Sequence, residues 1–116
     1  MNKQIDSYSL RRLLKTSNIN LIDIRPSYIY SSGTIGNAKN IPANYLMTNP
    51  TDYLNKNDEY YIFCNYGNTS TRVCSYLEKL GYNVVNVIDG YQGYKDSIMW
   101  YYLFSCKLLI NLMHYF

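Results

Sequence analysis

Residues 60–72 read YYIFCNYGNTSTR: a short apolar run, one cysteine, and a polar loop with a single glycine before a helical pattern begins. An apolar run this short, bounded by turn residues, reads as a strand buried on both faces. The next stretch, Ser70–Leu80 (STRVCSYLEKL), places Val73, Leu77 and Leu80 at i, i+4 and i+7. Gly81 then stands where a helix end favours a positive φ. Strand, loop and helix in this order predict one βα unit with Cys64 at its turn.

The rest of the chain repeats the pattern. Asn20–Ile24 (NLIDI) and Asn83–Ile88 (NVVNVI) read as two more buried strands. Ser9–Lys15 (SLRRLLK) predicts a short helix opening on Ser9 as its cap, with Leu10, Leu13 and Leu14 on one face. Residues 26–37, with Pro26, Gly33 and Gly36, predict loop or a short helix, followed by a short strand over Ala38–Ile41. Pro42 suits the first turn of a helix through Leu46, and TNPTD at 48–52 interrupts it. DGYQGY at 89–94 predicts a turn after the last strand. Alternating helices and non-alternating apolar strands predict an α/β fold, its mainly parallel central sheet flanked by helices on both faces. Loops at the C-terminal ends of such strands carry ligands, and Cys64 sits in one.

Composition narrows the function. A length of 116 residues suits one compact domain able to bury its own core. The formal charge of +3 comes without runs of like charge, so no nucleic-acid partner is expected. Fifteen tyrosines are scattered and lack the basic groove of a base-stacking surface. Three cysteines, an odd count, and an N-terminus without the apolar stretch of a signal peptide predict a reducing, cytoplasmic setting. No CxxC pair occurs, and the single histidine, His114, lies far from Cys64; neither a metal nor another cofactor is expected.

The loop after Cys64 has a chemistry of its own. A helix N-terminus offers unpaired N–H groups and roughly half a positive charge, which together stabilise a nearby thiolate. Gly67 lets the loop curl, so that Asn65 to Ser70 turn successive amides inward, and the side chains of Asn68, Thr69 and Ser70 add donors. An anion cradle around a nucleophilic thiol is the expected result.

CNYGNTS at 64–70 resembles the CxxGx(R)S active-site loop of the rhodanese (thiosulfate sulfurtransferase) superfamily. LIDIR at 21–25 resembles that family's strand with Asp-x-Arg. Gly33, Ile35, Ala38, Asn40, Ile41 and Pro42 resemble its GHIPGAxNIP segment, and GYNVVNVIDGYQGY its last strand and the turn beyond. The likeness runs over about residues 5–97 and implies a single rhodanese-like domain over 1–97. It implies that Cys64 attacks the outer sulfur of a donor, thiosulfate or a persulfide, and passes that sulfur to a thiol acceptor. It also implies an anion-binding loop of Asn65, Tyr66, Gly67, Asn68, Thr69 and Ser70, with Asp23 and Arg25 as structural polar partners. Arg72, one turn into the predicted helix, reads as a solvated charge, a partner of Asp23 or a support for the loop. Cys74, inside the predicted helix, reads as a small buried hydrophobe.

Two departures from the family pattern stand out, the first bearing on substrate and the second on local packing. Many members carry an arginine where this chain has Thr69, so the loop is uncharged. That loss should weaken a dianion such as thiosulfate more than a protein or small-thiol persulfide. Thr34 and Gly36 replace the histidine and proline of the GHIPG segment. Phosphatases of this fold need Cys-x5-Arg, where Ser70 stands here, so the bidentate phosphate clamp is missing. The alternative to an enzyme is a rhodanese-like module that recruits a partner while its thiol stays idle.

Residues 98–116, IMWYYLFSCKLLINLMHYF, form an apolar, helix-like tail outside that domain. Its nineteen residues approach spanning length, but Lys107 near the middle would cost about 2.5–3.5 kcal/mol on insertion. Lys107, Asn111 and His114 at i, i+4 and i+7 mark one polar stripe. The tail is expected to pack on its own domain, on a second subunit or on a membrane surface, and neither Cys106 nor His114 is expected to be catalytic.

Overall fold

The computed structural model describes residues 3–114. Residues 1, 2, 115 and 116 and the side chains of Leu109, Leu112 and His114 lie outside the described residues. The end of the expected tail and the last member of its polar stripe fall among them.

Five strands, β1 (Lys3–Ile5), β2 (Asn20–Asp23), β3 (Lys39–Asn40), β4 (Glu59–Phe63) and β5 (Asn83–Val87), form one sheet in the order β1-β5-β4-β2-β3. Every pairing is parallel, with Ile22 opposite Ile62 and Tyr61 opposite Val85. The helices are α1 (Ser7–Thr16), α2 (Ser27–Tyr30), α3 (Ala43–Thr48), α4 (Asn68–Lys79) and α5 (Gly90–His114), with a 3-10 turn at Pro50–Asp52.

Neighbouring strand residues point to opposite faces, and here both faces are dry. Ile22, Ile62 and Val84 pack with Leu46 of α3 and with Val73, Cys74 and Leu77 of α4. Leu21, Phe63 and Val87 pack on the other side with Leu10 of α1 and with Tyr91 and Tyr94 of α5. Burial on two sides explains why the strands lack apolar–polar alternation.

Two expectations need correction, and one strand was not anticipated. β1 had no apolar pattern to reveal it, because all three of its residues keep some exposure at the sheet edge. The cap of α1 is Asp6, whose carboxylate accepts from the Ser9 amide at 2.7 Å, so Ser9 lies inside the first turn. The segment 89–94 enters a helix at Gly90 instead of closing a turn. Asp89 accepts from the Ser7 amide at 2.8 Å and the Ser7 hydroxyl at 2.5 Å, and Gly90, at φ +62°, makes the sharp entry.

From there α5 runs unbroken past residue 97. Its root rests on α1, with the Arg11 guanidinium 5.2 Å from the centre of the Tyr101 ring. Farther along, the apolar side chains lie open: Trp100 is 73% exposed and Phe104 70%. Among the described residues no helix is long and apolar enough to cross a membrane.

The Asp6 cap gives a stability prediction. Asp6→Ala should cost about 0.5–2 kcal/mol. The Ser9 amide holds the Asp6 carboxyl below its ordinary range. The cap's contribution is therefore complete above about pH 3.9 and lost as pH falls through the lowered folded value. Urea titrations of the two proteins should differ at neutral pH and converge in acid.

Candidate active site

Cys64 follows β4 directly, and its Sγ takes the place of the usual capping oxygen for α4. The residue before α4 is Gly67, which has no side chain to accept from the first-turn amides. The Ser70 amide instead donates to Cys64 Sγ at 3.3 Å and the Gly67 amide to the same sulfur at 3.2 Å. The Ser70 hydroxyl lies 3.4 Å from it. Gly67 is required twice over. Its φ is +97°, and a Cβ there would stand 1.9 Å from the Ile88 carbonyl oxygen.

A second helix holds the loop from behind. The first amides of α5, those of Tyr91 and Gln92, donate to the carbonyls of Cys64 and Asn65, both at 2.9 Å. Gly90 permits this approach, since a Cβ on it would come within 2.5 Å of the Cys64 carbonyl oxygen. Two helix N-termini thus converge on one loop, α4 on the sulfur and α5 on the backbone.

Asp23 and Arg25 form a buried ion pair, Nη2 to Oδ2, at 2.7 Å. Asp23 also accepts from the Arg25 amide at 3.0 Å, from its Nε at 2.9 Å and from the Thr34 hydroxyl at 2.8 Å. Arg25 donates in addition to the Gly33 carbonyl at 2.6 Å and to Asn65 Oδ1 at 3.4 Å, and its guanidinium lies 4.1 Å from the centre of the Tyr91 ring. Beside it opens a cleft of about 550 Å³, lined by Cys64, Asn65 and Thr69 and by apolar residues that include Ile24, Ile29 and Pro42. Cys64 is only 6% exposed, so a reagent reaches the sulfur through this opening.

The expected site residues separate into groups. Gly67 and Ser70 touch the sulfur, while Asn65 and Thr69 line the cleft. Tyr66, 66% exposed, and Asn68 point to solvent. Arg72 is exposed on α4, as a solvated charge would be, and does not line the cleft, while the Asp23 carboxylate is taken by Arg25 and Thr34. Sequence reading missed Gly90, Tyr91 and Gln92, whose one local signal was the Asp-Gly pair ahead of a helix-compatible run. It also missed Thr71 and Asn86, which are joined by a hydrogen bond across the fold.

Comparison with known proteins agrees with this geometry. The family model described as Rhodanese-like domain matches residues 6–97. The chain belongs to that family. A protein of Allochromatium vinosum named sulfurtransferase is 33% identical over 92 residues, covering 78% of this chain and 85% of its own. The crystal structure of a rhodanese-like domain protein from Staphylococcus aureus superposes with a TM-score of 0.73 at 34% identity, covering 79% of this chain and 90% of that one. A crystal structure from Staphylococcus saprophyticus gives a TM-score of 0.74, also at 34% identity, and covers 81% and 93%.

In this rhodanese-like domain the second thiol on the same side of the sheet, Cys74, is buried. Burial, then the neighbouring Cys64 and then Glu78, push the Cys74 thiol up to about 12. Because the folded value is raised, its contribution to stability is complete below about pH 8.5 and lost as pH rises toward 12. The alkaline fall in stability should be shallower in Cys74→Ala than in the parent. Iodoacetamide at pH 8 should label Cys74 only once urea unfolds the chain, as read on its peptide by mass spectrometry.

Proposed function

We propose that this chain is a sulfurtransferase that carries the transferred sulfur on Cys64 as a persulfide. The observation that supports it is the convergence of the Gly67 and Ser70 amides on Cys64 Sγ at the base of an open cleft. In the first step the Cys64 thiolate attacks the outer sulfur of the donor. A new S–S bond forms, the donor's own S–S bond breaks, and the donor leaves as a thiolate, or as sulfite if it was thiosulfate. In the second step an acceptor thiolate attacks the terminal sulfur and Cys64 leaves as a thiolate, so the enzyme returns unchanged. Negative charge sits on Sγ before the first step and after the second, where two fixed N–H groups meet it without reorganising. The amides of Asn68 and Thr69, first in α4, have no intrahelical acceptor by position and are available to the terminal sulfur.

The donor we propose is the persulfide of a small thiol or of a protein, in preference to thiosulfate. The Arg25 charge is already spent on Asp23, Gly33 and Asn65, and Thr69 offers only a hydroxyl. A dianion would therefore meet dipoles alone, whereas the volume and apolar walls of the cleft suit an organic body. Three free cysteines support a reducing, cytoplasmic setting, and the open apolar end of α5 supports docking on a second subunit or a membrane surface.

Intact mass spectrometry after incubation with thiosulfate, and separately with glutathione persulfide, tests the chemistry. The parent should gain one sulfur atom that dithiothreitol removes and that passes to a thiol acceptor, while Cys64→Ser should gain none. No gain from either donor would leave a binding module in place of an enzyme.

A second prediction addresses the donor. Thr69→Arg should raise kcat/KM for thiosulfate by about 10- to 100-fold, the value of one charge-assisted hydrogen bond, and change that for the persulfide little. Equal gains for both donors would overturn the donor assignment.

A further inference from the structure

Asn86 lies among three buried valines of β5, Val84, Val85 and Val87, 1% exposed, and its Oδ1 has no hydrogen-bond partner. A buried amide left half satisfied is costly, and Val would suit the strand better. Its other end explains its presence. Asn86 Nδ2 donates to the Thr71 hydroxyl at 2.9 Å, and that hydroxyl donates to the Gly67 carbonyl at 2.7 Å. A hydroxyl has one proton. Because Thr71 spends it on Gly67, it can only accept from Asn86, and the orientation of the amide follows.

We infer that Asn86 is a positioning residue for Cys64, acting through Thr71 to free the Ser70 hydroxyl for the sulfur. The Ser70 hydroxyl also has one proton and two neighbours, the Gly67 carbonyl at 3.2 Å and Cys64 Sγ at 3.4 Å. While Cys64 is a thiol, its S–H points to Ser70 Oγ and the Ser70 proton rests on Gly67. When Cys64 is a thiolate, that proton is worth more on sulfur, since hydrogen bonds to a charged acceptor are the stronger ones. Moving it takes a donor from the carbonyl of buried Gly67. The Thr71 hydroxyl, held there by Asn86, and the Thr71 amide at 3.1 Å keep that oxygen satisfied. Without Asn86 the Thr71 hydroxyl, on an exposed residue, turns toward water and Ser70 stays with the carbonyl.

The inference rests on reading Cys64 as the nucleophile, yet its test needs no sulfur transfer. Iodoacetamide labelling is followed on the Cys64 peptide as a function of pH, with Cys74 and Cys106 read separately. Asn86→Val and Thr71→Val should each slow labelling near neutral pH about 3- to 10-fold, the worth of one hydrogen bond, and no longer lag the parent in alkali. Thr71→Ser should restore the parent profile, and the double variant should be no slower than either single one. In a Ser70→Ala background, Thr71→Val should have no further effect. Should Asn86→Val fail to fold, Thr71→Val at its exposed helix position carries the same test. A parent-like profile for Thr71→Val, or an undiminished loss in the Ser70→Ala background, would overturn the inference.

Discussion

A helix that is capped by a glycine has no side chain to accept from its first turn, and in this chain a sulfur atom accepts there instead. The bonds from Gly67 and Ser70 to Cys64 Sγ set much of what surrounds the site. They require the loop to fold back over the end of its own strand, which only a left-handed residue at 67 allows. The fold-back brings Gly67 so close to the Ile88 carbonyl that no Cβ fits between them, so the end of β5 must lie against the loop. Asp89 and Gly90 follow at once, and the amides of α5 arrive on the carbonyls of Cys64 and Asn65. Placement of the thiol and placement of the last helix are one constraint.

The buried ion pair serves the same loop at a different distance. Removing one partner of such a pair costs about 3–5 kcal/mol, because the other is left charged and buried. Asp23 and Arg25 therefore act as one unit, and they connect the end of β2 to the Gly33 segment and to Asn65. The cation beside the cleft is thus structural, with its hydrogen bonds directed into the protein. The thiol faces a cleft with polar donors and apolar walls and without a free positive charge among its lining residues.

Most of this sheet was legible because its strands are buried on both faces, and a short continuous apolar run between turn residues suits few positions except the middle of a covered sheet. The turn at Cys64 was legible because an apolar run, a polar loop with one glycine and a helical pattern follow one another there. What escaped was tertiary in origin. β1 is a short edge strand whose pairing with β5 no local pattern announces. The cap at Asp6 competed with an equally suitable serine, and the carboxylate, the stronger acceptor, took the amide. The helix at Gly90 finds the acceptors for its first amides at Cys64 and Asn65, far upstream, so local turn chemistry pointed the wrong way. Asn86 carried no signal of its own within NVVNVI, and only the hydrogen bond to Thr71 across the fold gives it a purpose.

The last helix divides along its length in the kind of work it does. Tyr91 and Tyr94 belong to the apolar cluster with Leu10 and Phe63, and Ser97 and Tyr101 meet Arg11 of α1. Over these turns α5 is held by the domain and holds the Cys64 loop in return. Beyond them the backbone satisfies its own hydrogen bonds, so the helix continues without needing a neighbour. Its side chains gain nothing from that. Leu103, Phe104, Leu108 and Ile110 are each more than half exposed and belong to neither core cluster. The stability of the domain is therefore set by what precedes them, and the apolar surface they present contributes only when something outside the described fold covers it.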